Sequence, residues 1–479
     1  MSLLLYRKIM MNRCLRKQAK RLLSIIVIAT SFSVVEAKIT MPRLFTDGMV
    51  LQQKSNVAIW GKSDKKNASI SLLASWDKKR IMTKSDSEGR FRFTIATPPH
   101  GETYQIDISD GDHIVIKDVL MGEVWLCSGQ SNMDMRMGGR YGDGIRGALD
   151  AIVTSDNPQI RMFTAKVKFS GTPLDDLDGE WQAASTETTA DFSATAYFFA
   201  RKINQVLHLP VGIIHLSCGG SKVEAWMSEE SVAPYKHLKD VQNPSCLFDG
   251  MMNAAVGYGI RGCLWYQGEA NVDSPDLYTQ LFPTMVADWR QRWQQGDFPF
   301  YFAQIAPFNY NHKEGKGANA AYMREAQQKC LSLIPNSGMV VLSDIGQPYT
   351  IHPIDKQPVG ERFAYLALHD TYGKQGVPAS GPVYREMKID GNRIELFFDY
   401  MGRGLTTYRQ PFNDFEIAGE DHVFYPAWAG LGKDAQSIVV SSNKVAHPVA
   451  VRYGFKDYFQ GCLYNMYGLP ASSFRTDDW

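Results

Sequence analysis

The sequence is poor in the features that would place it in several large protein classes. It has 7 cysteines in 479 residues, with no Cys-x-x-Cys pair and no zinc-ligand spacing, so no structural zinc site is indicated and no disulfide pairing can be read. Neither sign of charge dominates. The 51 Lys and Arg residues face 50 Asp and Glu, a formal net charge of +1, which argues against a nucleic-acid partner. No apolar run reaches the roughly 20 residues that a membrane helix needs. There is no P-loop and no His-Glu-x-x-His. The G-x-G-x-x-G match at Gly257-Tyr-Gly-Ile-Arg-Gly262 precedes a strand-like run instead of following one and opening a helix, so it fails the nucleotide-binding context. No metal site is indicated. At 44% hydrophobic and 21% charged residues, the composition excludes wholesale disorder, collagen and a coiled-coil rod.

What is present starts with a leader. Arg13, Arg16, Lys17, Lys20 and Arg21 precede an apolar run from Leu22 to Val35, and Val35-Glu-Ala37 offers small residues around a cleavage point. This order is that of a secretory signal peptide over residues 1–37. It implies export to the periplasm or the extracellular space, without stable membrane insertion. The remaining chain is mildly acidic and long enough for two or three domains. Its aromatic content of 12% suits either sugar-stacking surfaces or large β-rich cores.

Three regions follow the leader. Over 38–117, Asn56–Trp60, Ala68–Leu73, Arg90–Ile95 and Tyr104–Ile108 read as short strands separated by turn clusters, which suggests a small β-sandwich. Over 118–370, apolar strands alternate with amphipathic helices. The strands are Val119–Cys127, Val211–Leu216, Gly262–Trp265, Phe300–Ile305 and Met339–Leu342; the helices include Ala194–Leu207, Leu277–Gln294 and Ala320–Leu333. This alternation implies a parallel sheet covered by helices. Over 371–479 strand-like runs return, at Arg393–Phe398, Phe415–Ile417, Ser437–Val440 and Val449–Tyr453, and form a second β region that is a candidate to pair with the first.

Ligands of open α/β sheets bind at the carboxyl ends of the strands, so the loops after the strands carry the functional reading. Four of the five strands lead into small, polar, Gly-rich loops: Ser128-Gly-Gln-Ser-Asn132, Ser217-Cys-Gly-Gly-Ser221, Tyr266-Gln-Gly-Glu-Ala-Asn271, and Asp344-Ile-Gly346 followed by Ile351-His-Pro353. Ser131 sits on a tight turn after a strand, where a nucleophilic Ser is exposed above a sheet. Met133 departs from the Gly-x-Ser-x-Gly elbow. Of the ten histidines, His352 alone lies in a loop shortly after a sheet strand, which makes it the candidate base; His208, His215 and His369 read as packing or surface residues. Donors for a developing oxyanion are available at the Ser131 N–H, at Gly219 or Gly220, and on the Gln267 amide. Glu269 and Asp273 could be a glycosidase acid/base pair, but they lie close together on one loop beside the better Ser/His reading.

At these residues the chain resembles the sialate O-acetylesterase family within the SGNH (GDSL-like) hydrolases. The carrying segments are Leu44-Phe-Thr-Asp-Gly-Met-Val-Leu-Gln52, Gly122-Glu-Val-Trp-Leu-Cys-Ser-Gly-Gln-Ser-Asn-Met133, Ser217-Cys-Gly-Gly-Ser-Lys-Val-Glu-Ala-Trp226, Trp265-Tyr-Gln-Gly-Glu-Ala-Asn271, Ile351-His-Pro353 and Tyr464-Asn-Met-Tyr-Gly-Leu-Pro-Ala471. The resemblance implies an α/β fold, a three-layer α/β/α hydrolase core with a parallel sheet and accessory β-sandwich-like regions at both ends. It implies Ser131 as nucleophile, His352 as base, and oxyanion donors from Gly219/Gly220 and Gln267. The implied reaction removes O-acetyl groups from sugars, typically sialic acids, without a cofactor.

One departure concerns the third member of the triad. Where relatives carry an Asp two or three residues before the His, this chain has Thr350 and Tyr349. The orienting group is therefore expected to be Asp344, Asp355 or a backbone carbonyl near Thr350, the last giving a Ser–His dyad. A sialate carboxylate calls for a cation, for which Arg136 and Arg140 are the candidates. The alternatives are an esterase for an acetylated plant polysaccharide such as xylan, and a secreted carbohydrate-binding protein that keeps the fold without catalysis.

Overall fold

The computed structural model describes residues 39–140, 142–310 and 320–479; the leader read over 1–37 lies outside the described residues. The four expected N-terminal strands form, as Asn56–Ser63, Ser69–Ala74, Arg90–Ala96 and Tyr104–Ser109. Arg90–Ala96 shows why: Phe91, Phe93 and Ile95 turn inward while the residues between them face out, the period of a strand with one buried face. It pairs antiparallel with Asn56–Ser63.

The central sheet contains seven strands, numbered in chain order β1 (His113–Gly129), β2 (Asn157–Ala165), β3 (Gly179–Ala184), β4 (Val211–Ser217), β5 (Gly262–Tyr266), β6 (Phe300–Ala303) and β7 (Ser337–Val340). Their spatial order is β3-β2-β4-β1-β5-β6-β7, parallel throughout except for the edge strand β3. The five expected strands are all present, β7 starting two residues early; β2 and β3 were not expected.

β1 also joins these seven strands to N-terminal strands, so that together they form one 11-stranded sheet. Its first residues pair antiparallel with Tyr104–Ser109, its middle pairs with Val50–Gln52, and its end lies between β4 and β5. The boundary drawn at 117/118 thus falls inside one strand. Asp118 bends the strand there, with φ at +55°. The buried Arg161 of β2 holds the bend, donating to the Asp118 carbonyl at 2.6 Å, the Gly48 carbonyl at 2.9 Å and Asp118 Oδ1 at 3.0 Å. Five residues further along the strand, the buried Glu123 accepts from Arg261, from Gln52 and Gln53 of the N-terminal region, and from Tyr372.

The central strands bury both faces, as parallel strands do. Val124 and Leu126 of β1, Cys263 and Trp265 of β5, and Phe300 and Phe302 of β6 join one apolar cluster. Their neighbours Trp125, Cys127, Leu264, Tyr266, Tyr301 and Ala303 join another. Four long helices supply the cover: α1 (Ala194–Leu207), α2 (Pro275–Trp293), α3 (Ala320–Leu333) and α4 (Gln357–Asp370). α2 and α3 contribute to the first cluster and α1 and α4 to the second.

The C-terminal region, from Val383 to Arg475, folds into three small sheets with its own apolar cluster. Among the described residues the C-terminal strands pair only with one another, so the strand pairing with the N-terminal region considered from the sequence is not seen there. They are attached instead to α3 and β6 through polar anchors. The buried Arg324 donates to Ser473 Oγ and to the Gly454 and Lys456 carbonyls, Arg475 pairs with Glu325, and Gln304 bonds Ser472.

Candidate active site

β1 ends in a turn that only glycine permits. Gly129 has φ at +136°, and a Cβ there would meet the Tyr266 carbonyl at 2.1 Å. The chain then closes a single helical turn, Ser131–Asp134, buried on all four residues. The Gln130 side chain accepts from the N–H groups of Gly268 and Ala270, so the loop after β5 is hung on the residue before Ser131. Met133, Met135 and Met137 are all buried, which anchors this segment in the core.

Ser131 is 8% exposed. Its Oγ lies 3.1 Å from His352 Nε2, across 221 residues of sequence. His352 Nδ1 lies 2.9 Å from Asp143 Oδ2. Thr350 Oγ1 donates to the same Asp143 oxygen at 3.1 Å and accepts the His352 N–H at 3.1 Å. The result is a continuous Ser–His–Asp chain. A carboxylate on Nδ1–H fixes the tautomer that leaves Nε2 free to take a proton.

The dyad expectation is therefore corrected. The group on Nδ1 is a carboxylate, not a backbone carbonyl, and it comes from the loop after Ser131. The two side-chain alternatives are committed elsewhere. Asp344 forms a two-pronged ion pair with Arg362, at 2.8 and 2.6 Å. Asp355 pairs with Arg146 at 2.9 Å. With the Arg146 N–H on the Ile354 carbonyl at 3.0 Å, that pair fastens the Asp143 loop to the His352 loop. No sequence motif marks Asp143; its only signal is a Gly-rich stretch, Gly138-Gly-Arg-Tyr-Gly-Asp-Gly144, 12 residues past the nucleophile.

A pocket of about 410 Å³ opens beside the pair, lined among others by Gln130, Ser131, Gly219, Gly220, Glu269 and His352. Gly219 and Gly220 are exposed to it, Gly220 with φ at +71°, and among the described residues their N–H groups meet no backbone acceptor. Gln267 is placed differently from the sequence expectation. It is fully buried, and its Nε2 donates to the Ser221 carbonyl at 3.1 Å and Asn271 Oδ1 at 2.7 Å. It ties the loops after β4 and β5 together behind the pocket instead of facing into it.

The two arginines are also not brought to the pocket. Arg136 pairs with Asp191 on the surface at 2.8 Å, and Arg140 pairs with Asp134. No Lys or Arg side chain lines the pocket among the described residues. Of the glycosidase candidates, Glu269 is buried and Asp273 exposed, so they do not flank one cleft. His215 is a core residue, bonded to Ser217 Oγ at 2.6 Å, and burial pulls its pKa down to about 4. Among the described residues, no group of three or more His, Cys, Asp or Glu side chains is placed to hold a metal ion.

Comparison with known proteins places the chain among carbohydrate esterases. The profile of the family described as carbohydrate esterase, sialic acid-specific acetylesterase, matches residues 121–364, a span that holds Ser131, Asp143 and His352. Sialate O-acetylesterase of Mus musculus is 26% identical over 430 residues, covering 75% of this chain and 78% of that protein. The Homo sapiens protein of the same name is 28% identical over 402 residues, covering 75% and 76%. The crystal structure of a carbohydrate acetylesterase from Xanthomonas citri superposes with a TM-score of 0.84 at 34% identity, covering 92% of this chain and all of that one. With the family profile spanning half of the sequence and the Xanthomonas citri structure matched along its whole length, the chain belongs to the carbohydrate esterase family of sialic acid-specific acetylesterases.

Proposed function

We propose that the protein is an exported esterase that removes O-acetyl groups from sialic acids through an acetyl-enzyme on Ser131. The observation that carries the mechanism is the unbroken Ser131–His352–Asp143 hydrogen-bonded chain at the edge of an open pocket. Ser131 Oγ attacks the acetyl carbonyl carbon while His352 Nε2 takes its proton. The N–H groups of Ser131 and of Gly219 or Gly220 receive the oxyanion. When the tetrahedral intermediate collapses, the sugar oxygen leaves with the proton from the imidazolium. Water then adds to the acetyl-serine, giving its proton to His352, and acetate departs as Ser131 Oγ recovers that proton. Asp143 orients the imidazole and stabilises its charged form.

Further parts of the reading rest on narrower support. Helices on both faces of a mostly parallel sheet support a three-layer α/β/α core of the SGNH type over 118–370, with β regions at 38–117 and 371–479. The basic, apolar and small-residue order of 1–37 supports export. A neutral acetylated polysaccharide such as xylan is the second reading for the substrate, and the observation in its favour is that the pocket presents no cation. The test is acetate release from O-acetyl sialate beside acetyl-xylan, in the wild type and in Ser131→Ala. Loss of a triad nucleophile costs about 10⁶-fold in kcat in a studied protease. Activity of Ser131→Ala within tenfold of wild type would overturn the mechanism, and a preference for acetyl-xylan would overturn the sialate assignment.

A further inference from the structure

Behind the Ser131–His352 pair, three buried polar side chains from three separate segments converge, and the reaction just described uses none of them. Asn132, directly after the nucleophile, is fully buried. Its Nδ2 donates to Glu269 Oε1 at 2.5 Å and to the carbonyl of Ile351, the residue before His352, at 3.1 Å. Its Oδ1 accepts from Lys356 Nζ at 2.5 Å. Lys356 has no exposed surface, and the ring of Tyr266 lies 5.7 Å from its ammonium. Glu269 lines the pocket and keeps one carboxylate oxygen, Oε2, buried without a hydrogen-bond partner.

The donor chemistry makes the arrangement directional. An ammonium only donates, whereas an amide has a donor end and an acceptor end. In its protonated form, which prevails below about pH 7, Lys356 therefore dictates which way the Asn132 amide is turned. With Oδ1 held by the lysine, Nδ2 must face the Ile351 carbonyl and Glu269. One amide thus links the nucleophile turn to the loop that carries His352, and its orientation depends on a third segment. A methionine would fill the same volume without burying an ammonium, a burial that is costly unless the charge is balanced. The balance comes from Glu269. Burial pulls the Lys356 pKa down to about 7 against the opposing pull of Glu269 and Asp143. Burial likewise pushes Glu269 up, against Asn132, Lys356 and His352.

We propose that Lys356, acting through Asn132 and Glu269, is a positioning residue for the Ser131–His352 pair: it sets the amide that ties the nucleophile turn to the His352 loop, and it balances the Glu269 carboxylate beside the imidazole. This rests on the roles given to Ser131 and His352 above. Asp143 lies on the Nδ1 side of the imidazole, Glu269 interacts with the imidazole electrostatically, and Lys356 interacts with both carboxylates. On the acid side of pH 7, where Lys356 is charged, removing the cation favours the imidazolium, and removing Glu269 disfavours it. The two substitutions should therefore move the acid limb of the pH–rate profile in opposite directions, which loss of packing alone would not do.

The experiment measures kcat and KM for p-nitrophenyl acetate from pH 5 to pH 9 in wild type, Lys356→Met, Lys356→Gln and Glu269→Gln, with thermal unfolding of each. Lys356→Met should lower kcat roughly 10²-fold, the size of loss that a small misplacement of reacting groups produces, with KM within about threefold of wild type. Lys356→Gln, which restores a neutral donor to the Asn132 oxygen, should recover about tenfold of that loss. The acid limb should move to higher pH in Lys356→Met and to lower pH in Glu269→Gln. A folded Lys356→Met with kcat within threefold of wild type would overturn the proposal. So would equal damage in the Met and Gln variants with an unmoved acid limb. Should Lys356→Met fail to fold, Glu269→Gln decides: an acid limb that stays in place overturns the proposal, and one that moves down supports it. Ser131→Ala separates this from the parent reading, since its full activity would refute the esterase mechanism whatever Lys356 does.

Discussion

Asp143 and His352, 209 residues apart in sequence, meet through Oδ2 and Nδ1 at 2.9 Å, and the acid thus lies upstream of the base on a different loop. Asp143→Asn, which keeps shape and removes charge, should lower kcat by roughly 10⁴-fold, as when a triad Asp becomes Asn. Steady-state kinetics on p-nitrophenyl acetate would check this; a loss below about tenfold would return the imidazole to a dyad.

Asp344→Asn should give the complementary result. Its partner Arg362 is nearly buried and also donates to the Val341 carbonyl. Breaking such a pair costs ~3–5 kcal/mol because it strands a charge. The expected outcome is a lower urea midpoint with kcat within about tenfold of wild type.

Arg136→Ala should leave KM for O-acetyl sialate within about twofold. Its guanidinium is half exposed and spent on Asp191, and surface pairs of this kind contribute ~0–1 kcal/mol. A tenfold rise confined to the sialate substrate, against an uncharged acetyl ester, would place the side chain on the carboxylate after all.

The six described cysteines form no disulfide. Burial raises their thiol pKa values, to about 11 at Cys218 and about 12 at Cys330. The thiolate is the reactive form, so at pH 8 the folded protein should alkylate slowly, with the half-buried Cys246 first. All six should react once the chain is denatured. Mass spectrometry after iodoacetamide treatment would read this, and dithiothreitol should not shift the unfolding temperature. Rapid labelling of Cys218 in the native state would contradict its burial.

The parts of the fold and site that the sequence disclosed are those whose signal is local. β4, β5 and β6 are short apolar runs bounded by turn residues, and α1 and α3 keep the bounds their periodicity suggests. Ser131 and His352 stand out because each sits in a small-residue loop just past a strand. β2 was hidden by Arg161, which interrupts its apolar run and whose burial is balanced by partners at Asp118 and Gly48, a relation between distant residues. Asp143 was hidden for the same reason, since nothing within ten residues of it names His352. Gln267 was misplaced because its residue type suits an oxyanion donor; only the positions of Ser221 and Asn271 reveal that its amide is already engaged.

The continuity of β1 has a consequence for how the molecule comes apart. Its 17 residues span about 55 Å at ~3.3 Å per residue, with one end in the N-terminal sheet and the other turning directly into Ser131. No cut between the β region and the hydrolase region can spare this element. Fraying that begins at His113 travels along the same backbone toward the nucleophile. Amide exchange in the Tyr104–Ser109 ladder and at Leu126–Gly129 should therefore belong to one opening unit, and loosening the N-terminal sheet, by Arg161→Leu for instance, should speed both together. An esterase trimmed back to residue 118 would lose the ladder that steadies the first third of its central strand, and with it the stable presentation of its own serine.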